Sequence, residues 1–273
     1  MPLVSVILPT YNRAHMIKDA IDSVLSQTFS DLELIIADDA STDDTEEVVK
    51  AISDERIHYF CCEKNGGAAA ARNFGIKKAS PLSEWIAFED SDDLWHPDKL
   101  EKQLLSLSKA PEAEFCYHKI RYDMGGGYSA ILPDERLPLE KKSGNIFAEI
   151  LHENLVDCPS MLIKRSLLEK TGLFDETLPA LEDYDLAIRL SKAAPAAFTN
   201  EVLLESAYST TGVSGSPKNY LIASCLILSK YKKDYLETDN FNYRLSVILS
   251  DAEKTGVKNE IVAFLEKLLK GGS

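Results

Sequence analysis

Four carboxylates crowd into five residues at Glu89-Asp90-Ser91-Asp92-Asp93, directly after the apolar run Trp85-Ile86-Ala87-Phe88. Like charges this close raise one another's pKa and destabilise a fold, unless a cation or a row of donors sits among them. Hard oxygen ligands at the end of a strand suit Mg²⁺ or Mn²⁺, which keeps some water and completes its shell from substrate phosphates. Asp90-Ser91-Asp92 is therefore a candidate metal and diphosphate site. Taken alone, the triplet reads first as a solvated turn whose Asp residues cap the next helix.

Other polar groups fall at equivalent places. Pro9-Thr10-Tyr11-Asn12 follows the apolar run Val4–Leu8, Asp38-Asp39 follows Leu32–Ala37, and Asn65-Gly66-Gly67 follows Ile57–Cys61. Each has a bland reading as a turn, a cap or a tight helix entry. Four bland loops would rarely all carry ligand-competent groups. A second acidic group, Glu182-Asp183-Tyr184-Asp185, opens a helical pattern with Leu186 and Leu190 inside; acids in a first turn also complement the helix dipole without any function.

The elements needed to hold these groups are legible from periodicity. Strands at Val4–Leu8, Leu32–Ala37, Ile57–Cys61 and Glu84–Phe88 alternate with amphipathic helices. Ile17, Ala20, Ile21, Val24 and Leu25 share one helix face that Asn12 is placed to cap. Ser41 and Asp44 resemble a capping box for a second helix carrying Val48, Val49 and Ile52. Gly66-Gly67 open an alanine-rich helix to Lys78, and Pro97 stands where a first helical residue would, ahead of Leu100, Leu104 and Leu107. Near-continuous apolar strands between helices predict a mostly parallel, Rossmann-like sheet flanked on both faces. Ligands bind such sheets beyond the carboxyl ends of the strands.

Farther on, Phe115–Lys119 reads as a strand, Gly125-Gly126-Gly127 as a turn and Leu132–Lys142 as a charged, Pro-containing loop. Ser143–Leu155 and Ser166–Thr171 are helical, the latter ended by Gly172, and Ser160–Ile163 is a short strand. Three amphipathic helices, Asn219–Tyr235, Phe241–Glu253 and Lys258–Lys270, close the chain and are expected to pack on the sheet rather than on a membrane. The expected organisation is a catalytic domain over residues 1–215, nucleotide-binding in 1–110 and acceptor-binding in 111–215, with a helical extension over 216–273.

With 273 residues, 45% of them hydrophobic, the chain can bury a full core. A net charge of −14 argues against nucleic acid as partner and means that an anionic substrate needs local help from a cation, helix N-termini or a few Arg and Lys residues. Five cysteines without a C-x-x-C pair, the adjacent Cys61-Cys62 included, read as buried thiols of a reducing compartment. The longest apolar run near the end, Leu221–Leu228, is far below the roughly 20 residues of a bilayer span. No secretory leader is visible at the N-terminus. The expectation is a cytoplasmic protein, at most peripheral to the inner face of a membrane; oligomeric state is silent.

Taken in order, Val6-Ile7-Leu8-Pro9-Thr10-Tyr11-Asn12, Ile36-Ala37-Asp38-Asp39-Ala40-Ser41-Thr42-Asp43, Asn65-Gly66-Gly67 with Ala71-Arg72-Asn73, Asp90-Ser91-Asp92-Asp93 and Glu182-Asp183 closely resemble the inverting family 2 glycosyltransferases of GT-A fold. The resemblance spans about Leu3–Leu190. It implies that Pro9, Thr10 and Tyr11 line the nucleotide base and that Asp39 accepts a hydrogen bond from it. It places Arg72 toward the base and diphosphate with Asn65 and Gly66 beside it, Asp90 and Ser91 at the ribose and diphosphate, and Asp92, in the DXD motif, as the principal ligand of Mn²⁺ or Mg²⁺. Asp183, supported by Glu182, is the implied general base. Many relatives carry Tyr-Arg-x-His after a late strand; here Tyr208-Ser209-Thr210-Thr211 stands in its place, leaving water or the Thr211 hydroxyl to substitute for the histidine.

The implied activity is metal-dependent transfer of a sugar from a nucleoside diphosphate sugar, UDP first and dTDP or GDP next, to a saccharide or lipid-linked acceptor, in cell-surface polysaccharide synthesis. The chemistry agrees: negative charge grows on the departing phosphate and a carboxylate must take the acceptor proton on the opposite face of the sugar. Inversion in one displacement needs no enzyme nucleophile. A non-catalytic nucleotide-sugar-binding module is the first alternative, opposed by the intact Asp92 and Asp183. A nucleotidyltransferase is the second, opposed by the absence of glycine from Pro9-Thr10-Tyr11-Asn12-Arg13.

Overall fold

In the computed structural model, residues 2–207 and 216–270 are described. The first half runs β1 (Val4–Thr10), α1 (Ile17–Leu25), β2 (Leu32–Asp38), α2 (Thr45–Lys50), β3 (Ile57–Cys61), α3 (Ala68–Lys78) and β4 (Trp85–Phe88). All of β1, β2 and β4 is buried, which is why these strands are apolar on both faces rather than alternating. The four strands are parallel in the order β3-β2-β1-β4, with Leu8 opposite Ile36 and Ile7 opposite Phe88. The chain order reverses at β1, so the carboxyl ends of β1, β2 and β4 open on a common crevice.

Alternate residues feed two cores. Ile7, Ile35, Ile86 and Phe88 point to one, shared with α3 and later helices, and Val6, Leu8, Leu34, Ile36 and Ala87 point to the other, which α1 fills with Ile17, Ala20, Ile21 and Val24. On α3, Gly75 lets the helix approach the sheet: a Cβ there would lie 2.6 Å from Ile7 Cγ2 and 3.2 Å from Ala37 Cβ.

Beyond β4 the sheet is mixed rather than parallel. A short strand β5 (Asp93–Trp95) and α4 (Lys99–Lys109) lead to β6 (Phe115–Gly125), which turns through three left-handed glycines into β7 (Tyr128–Leu132). There follow α5 (Phe147–His152), β8 (Leu162–Lys164), α6 (Arg165–Thr171), α7 (Glu182–Ala193) and β9 (Ala196–Ala207). Strand β8 lies antiparallel to both β4 and β6, β9 is parallel to β6, and β5 pairs antiparallel with β9 at the far edge. Helices α8 (Pro217–Lys230), α9 (Lys232–Glu237), α10 (Phe241–Lys254) and α11 (Lys258–Lys270) complete the chain, and Leu221, Cys225, Ile248, Ile261 and Leu265 join the same core as α5 and α7.

Several local expectations are corrected. Asn12 does not cap α1, which starts five residues later; it adopts φ 54° and uses its side chain across to the loop after β2. Ser41 and Asp44 form no capping box, because Ser41 Oγ accepts from Asn12 N and Thr45 N donates to Asp43 instead. Pro97 precedes the cap of α4. Strands β5 and β7 were not expected; Asn219–Tyr235 is two helices broken at Tyr231; and α5 is shorter than Ser143–Leu155. Cys61 is exposed and Cys62 half-buried, whereas Cys116, Cys158 and Cys225 are buried.

Candidate active site

The crevice begins where β1 and β2 end. Pro9 and Thr10 are buried, Tyr11 is exposed, and Asp39 N donates to Thr10 O at 2.8 Å, locking the two strand ends together. Asn12 completes the brace: its amide donates to Ser41 Oγ at 2.8 Å and its side-chain oxygen accepts from Thr42 N at 2.7 Å. The Thr10 hydroxyl is buried and has no hydrogen-bond partner among the described residues. Such orphans are rare, and one at a crevice floor is a place for a ligand group.

Asp38 and Asp39 do different work. Asp38 is sealed into the sheet end by Ser41 N and the Tyr59 hydroxyl, each at 2.7 Å. Asp39 accepts Gly66 N at 2.8 Å and Gly67 N at 2.7 Å, so its carboxylate organises the loop that enters α3, with Asn65 exposed beside it. Burial pushes Asp39 above the usual carboxylate range against the pull of those two amides. A carboxylate has about four acceptor sites, so two bonds leave capacity for a third group.

Arg72 is the junction of the site. Only 6% exposed, it donates from Nη2 to Asp90 and from Nη1 to Glu182, both at 2.7 Å, and its guanidinium stands 5.6 Å from the Phe174 ring centre. Thus α3 ties the acidic turn after β4 to the start of α7. Its neighbour Asn73 fixes the intervening loop, donating to Phe174 O at 2.9 Å and to Glu176 at 2.7 Å while accepting from Phe174 N at 3.0 Å. Arg72 was expected to face base and diphosphate; its two terminal nitrogens are occupied by carboxylates.

In the acidic turn Ser91 is buried, while Asp90 and Asp92 are half-buried. Burial raises the Asp92 pKa and the adjacent Asp90 charge adds to it, with Arg13 and Arg72 opposing. Glu89 is fully buried with both oxygens unpartnered among the described residues; burial drives its pKa well up, reinforced by Asp93. This is a turn with surplus negative charge, the electrostatic setting that a divalent cation would relieve. No group of three or more His, Cys, Asp or Glu residues suited to a metal occurs among the described residues, so an ion at Asp92 would draw the rest of its shell from substrate oxygens and water. Thr211 lies outside the described residues.

The acids of α7 separate by environment. Asp185 is fully buried among Arg189, Lys230 and the Tyr231 hydroxyl, a structural tie to α8. Asp183 has no ion pair among the described residues and accepts Tyr184 N at 2.8 Å. Burial pushes it up to about 7, with Glu182 and Asp157 adding and Arg72 opposing. Leu181 just before it sits at φ 61°, a strained conformation for a branched side chain that aims the first turn of α7. His96 and His118 take no part in this arrangement: His96 faces Glu205 at 3.2 Å and His118 is buried, with Nδ1 at 2.8 Å from Lys119 O.

Asp157 is a further carboxylate that sequence reasoning missed. It accepts from the Tyr122 hydroxyl at 2.7 Å and from Asn154 at 3.2 Å, and burial raises its pKa, with Asp90 adding to the shift. Nothing local in the run Asn154-Leu155-Val156-Asp157 marks it; only the antiparallel return through β8 brings it to the crevice.

Residues 5–172 match the family described as Glycosyl transferase family 2. The chain belongs to glycosyltransferase family 2. This family 2 chain is 34% identical over 208 residues to an uncharacterised glycosyltransferase of Rickettsia typhi, covering 75% of itself and 64% of that relative, so it spans just under two thirds of its length. It is 47% identical over 107 residues to the Escherichia coli enzyme WfgD, named a UDP-Glc:alpha-D-GlcNAc-diphosphoundecaprenol beta-1,3-glucosyltransferase, covering 39% of itself and 42% of WfgD. Two solved structures share the fold. Staphylococcus aureus TarS in complex with UDP-GlcNAc aligns with a TM-score of 0.75 at 20% identity, over 98% of this chain and 82% of that one. The Pyrobaculum calidifontis mannosyltransferase PcManGT in complex with GDP-Man and Mn²⁺ aligns at 0.69 and 18%, over 100% and 88%. Among the described residues of this family 2 protein, no helix is long and apolar enough to cross a membrane.

Proposed function

We propose that this family 2 glycosyltransferase moves a sugar from a nucleoside diphosphate sugar, with UDP as the first choice of nucleotide, to a hydroxyl of a saccharide or lipid-linked acceptor, with inversion and with Mn²⁺ or Mg²⁺. The observation that carries this reading is the Asp90–Arg72–Glu182 bridge, which holds the acidic turn and the α7 acids at one crevice although they lie far apart in sequence.

Pro9, Thr10 and Tyr11 form the base side, where the orphaned Thr10 hydroxyl supplies a polar contact, and Asp39 accepts from the base with its remaining lone pairs. Asn65 and Gly66 border that pocket, and Asp90 and Ser91 meet the ribose and diphosphate. Arg72 acts through its two carboxylates, balancing their charge near the leaving group. Asp92 would hold the metal, which when bound would stabilise the departing diphosphate as a Lewis acid.

At the other end of the sugar Asp183 accepts the proton of the acceptor hydroxyl as that oxygen bonds to the anomeric carbon. The bond from that carbon to the diphosphate oxygen breaks on the opposite face, the electron pair leaves with the nucleoside diphosphate, and the configuration inverts. A carboxylate pushed up to about 7 is a stronger base than an ordinary one and is about half ionised at neutrality. Glu182, held by Arg72, keeps the first turn of α7 in place. The UDP preference is supported by the name of the E. coli relative and metal use by the fold neighbour solved with Mn²⁺.

The test is incubation with Mn²⁺ and a panel of UDP-, dTDP- and GDP-sugars, reading nucleoside diphosphate release with and without acceptor. Slow release without acceptor is expected. Pyrophosphate release from a nucleoside triphosphate, with no release from any nucleotide sugar, would overturn the reading in favour of nucleotidyl transfer.

A further inference from the structure

Most cations of the C-terminal helices are neutralised internally: Lys218 pairs with Glu260, Lys230 with Asp175 and Asp185, Lys233 with Glu237 and Lys254 with Asp251. Arg244 on α10 differs. It is half-buried and has no carboxylate partner among the described residues; Nη1 reaches the His152 carbonyl at 3.4 Å, the Tyr220 and Tyr235 hydroxyls lie beside the guanidinium, and it stands 5.6 Å from the ring centre of Tyr184, the residue directly after Asp183. Hydroxyls and a ring offset the burial of this cation only with partial charges, so a ligand anion would add the charge pairing it lacks.

The surroundings fit such a ligand. Tyr243 is 43% exposed and stacks on His152 with ring centres 3.9 Å apart and planes 11° from parallel, while His152 Nδ1 is 3.0 Å from Asn240 Oδ1. Tyr220 on α8 is 38% exposed and lies within electrostatic reach of both ends: burial raises its hydroxyl pKa, Arg244 opposes that rise, and Asp251 and then Asp183 add to it. A cation and two exposed rings therefore border the α7 terminus on the side supplied by the C-terminal helices. On a chain of net charge −14, a phosphate-bearing substrate needs such a local cation, and the planar fork of arginine matches two phosphate oxygens.

We propose that Arg244, on the helix that also carries the exposed ring of Tyr243, binds a phosphate carried by the acceptor and so presents the acceptor hydroxyl to Asp183. This rests on the assignment of Asp183 as base. The acceptor class is then a saccharide on a phosphate or diphosphate ester, the chemistry named in the acceptor of the E. coli relative.

The test measures binding of hexyl diphosphate, hexyl monophosphate and neutral hexyl glucoside at saturating UDP and Mn²⁺, so that the donor pocket is filled. The wild type is expected to bind the phosphates more tightly than the glucoside, and Arg244→Gln to lose about tenfold or more in phosphate affinity with UDP affinity unchanged. The stronger of the two phosphate ligands tells a diphosphate from a single phosphate ester. Should Arg244→Gln fail to fold, Arg244→Lys decides: it keeps the charge without the fork, so severalfold weaker diphosphate binding with intact UDP affinity supports the proposal. Unchanged phosphate affinity in the folded variant overturns it, as does an equal loss for phosphate and glucoside. Failure of the wild type to bind UDP would instead overturn the donor assignment itself.

Discussion

Arg72 Nη1 donates to Glu182 Oε1 at 2.7 Å across 110 residues of sequence, and Nη2 of the same guanidinium donates to Asp90. Removing it leaves two carboxylates facing each other in a half-buried crevice. Breaking such a pair costs about 3–5 kcal/mol. Arg72→Ala is therefore expected to lower the denaturation midpoint markedly, and Arg72→Lys, which cannot fork to both acids, to lose activity with a smaller loss of stability. Urea unfolding of both variants checks this; wild-type stability in Arg72→Ala would contradict the bridging role.

Burial raises Asp183 to about 7, and the base role proposed for it requires the ionised form, so activity should rise with pH and level off above about 7. Arg72 opposes that rise, so Arg72→Lys, if its ammonium sits farther from Asp183, should move the rising limb to higher pH. A pH profile of kcat/KM measures both.

The same shift affects stability with a definite sign. Because the folded-state pKa of Asp183 lies above its unfolded value of about 3.9, the folded protein holds this proton more tightly, and its contribution to stability is lost as pH rises from about 4 through 7. Asp183→Asn, which cannot ionise, should melt higher than wild type at pH 8 and show a smaller difference at pH 4. Melting curves at the two pH values decide it.

Surplus charge in the acidic turn predicts metal linkage. Burial and Asp90 together raise Asp92, so a divalent cation should bind more weakly as pH falls, and Asp92→Ala should abolish the metal dependence of UDP binding. Titration of UDP with and without Mn²⁺ or a chelator tests this.

Close approach of α3 to the sheet gives a prediction independent of chemistry. A Cβ at Gly75 would lie 2.6 Å from Ile7 Cγ2, and Ile7 is fully buried, so Gly75→Ala should cost about 1–3 kcal/mol by overpacking. Because α3 carries Arg72, the variant should also lose turnover.

The first half of the fold was legible because β1, β2 and β4 are buried, mostly apolar runs separated by helical periodicity. The second half was less so: β5 is three residues long and starts on the last acid of the acidic turn, and β7 has no fully buried residue, so neither stands out as a buried strand. At α7 the sequence presents three acids in one turn with no sign of which is structural. Only the arrival of Arg189, Lys230 and Tyr231 at Asp185 separates it from Asp183. Asn12 looked like a helix cap because Asn favours that role, but its left-handed backbone and bonds to the neighbouring loop could not be read from spacing.

The proposed division of labour, with Asp183 taking the acceptor proton and the acidic turn holding the donor, is decided by measuring donor affinity and sugar transfer side by side in wild type and Asp183→Asn. Nucleotide-sugar affinity is expected to stay unchanged while transfer falls by about 10²-fold or more. Transfer by Asp183→Asn at the wild-type rate would contradict it.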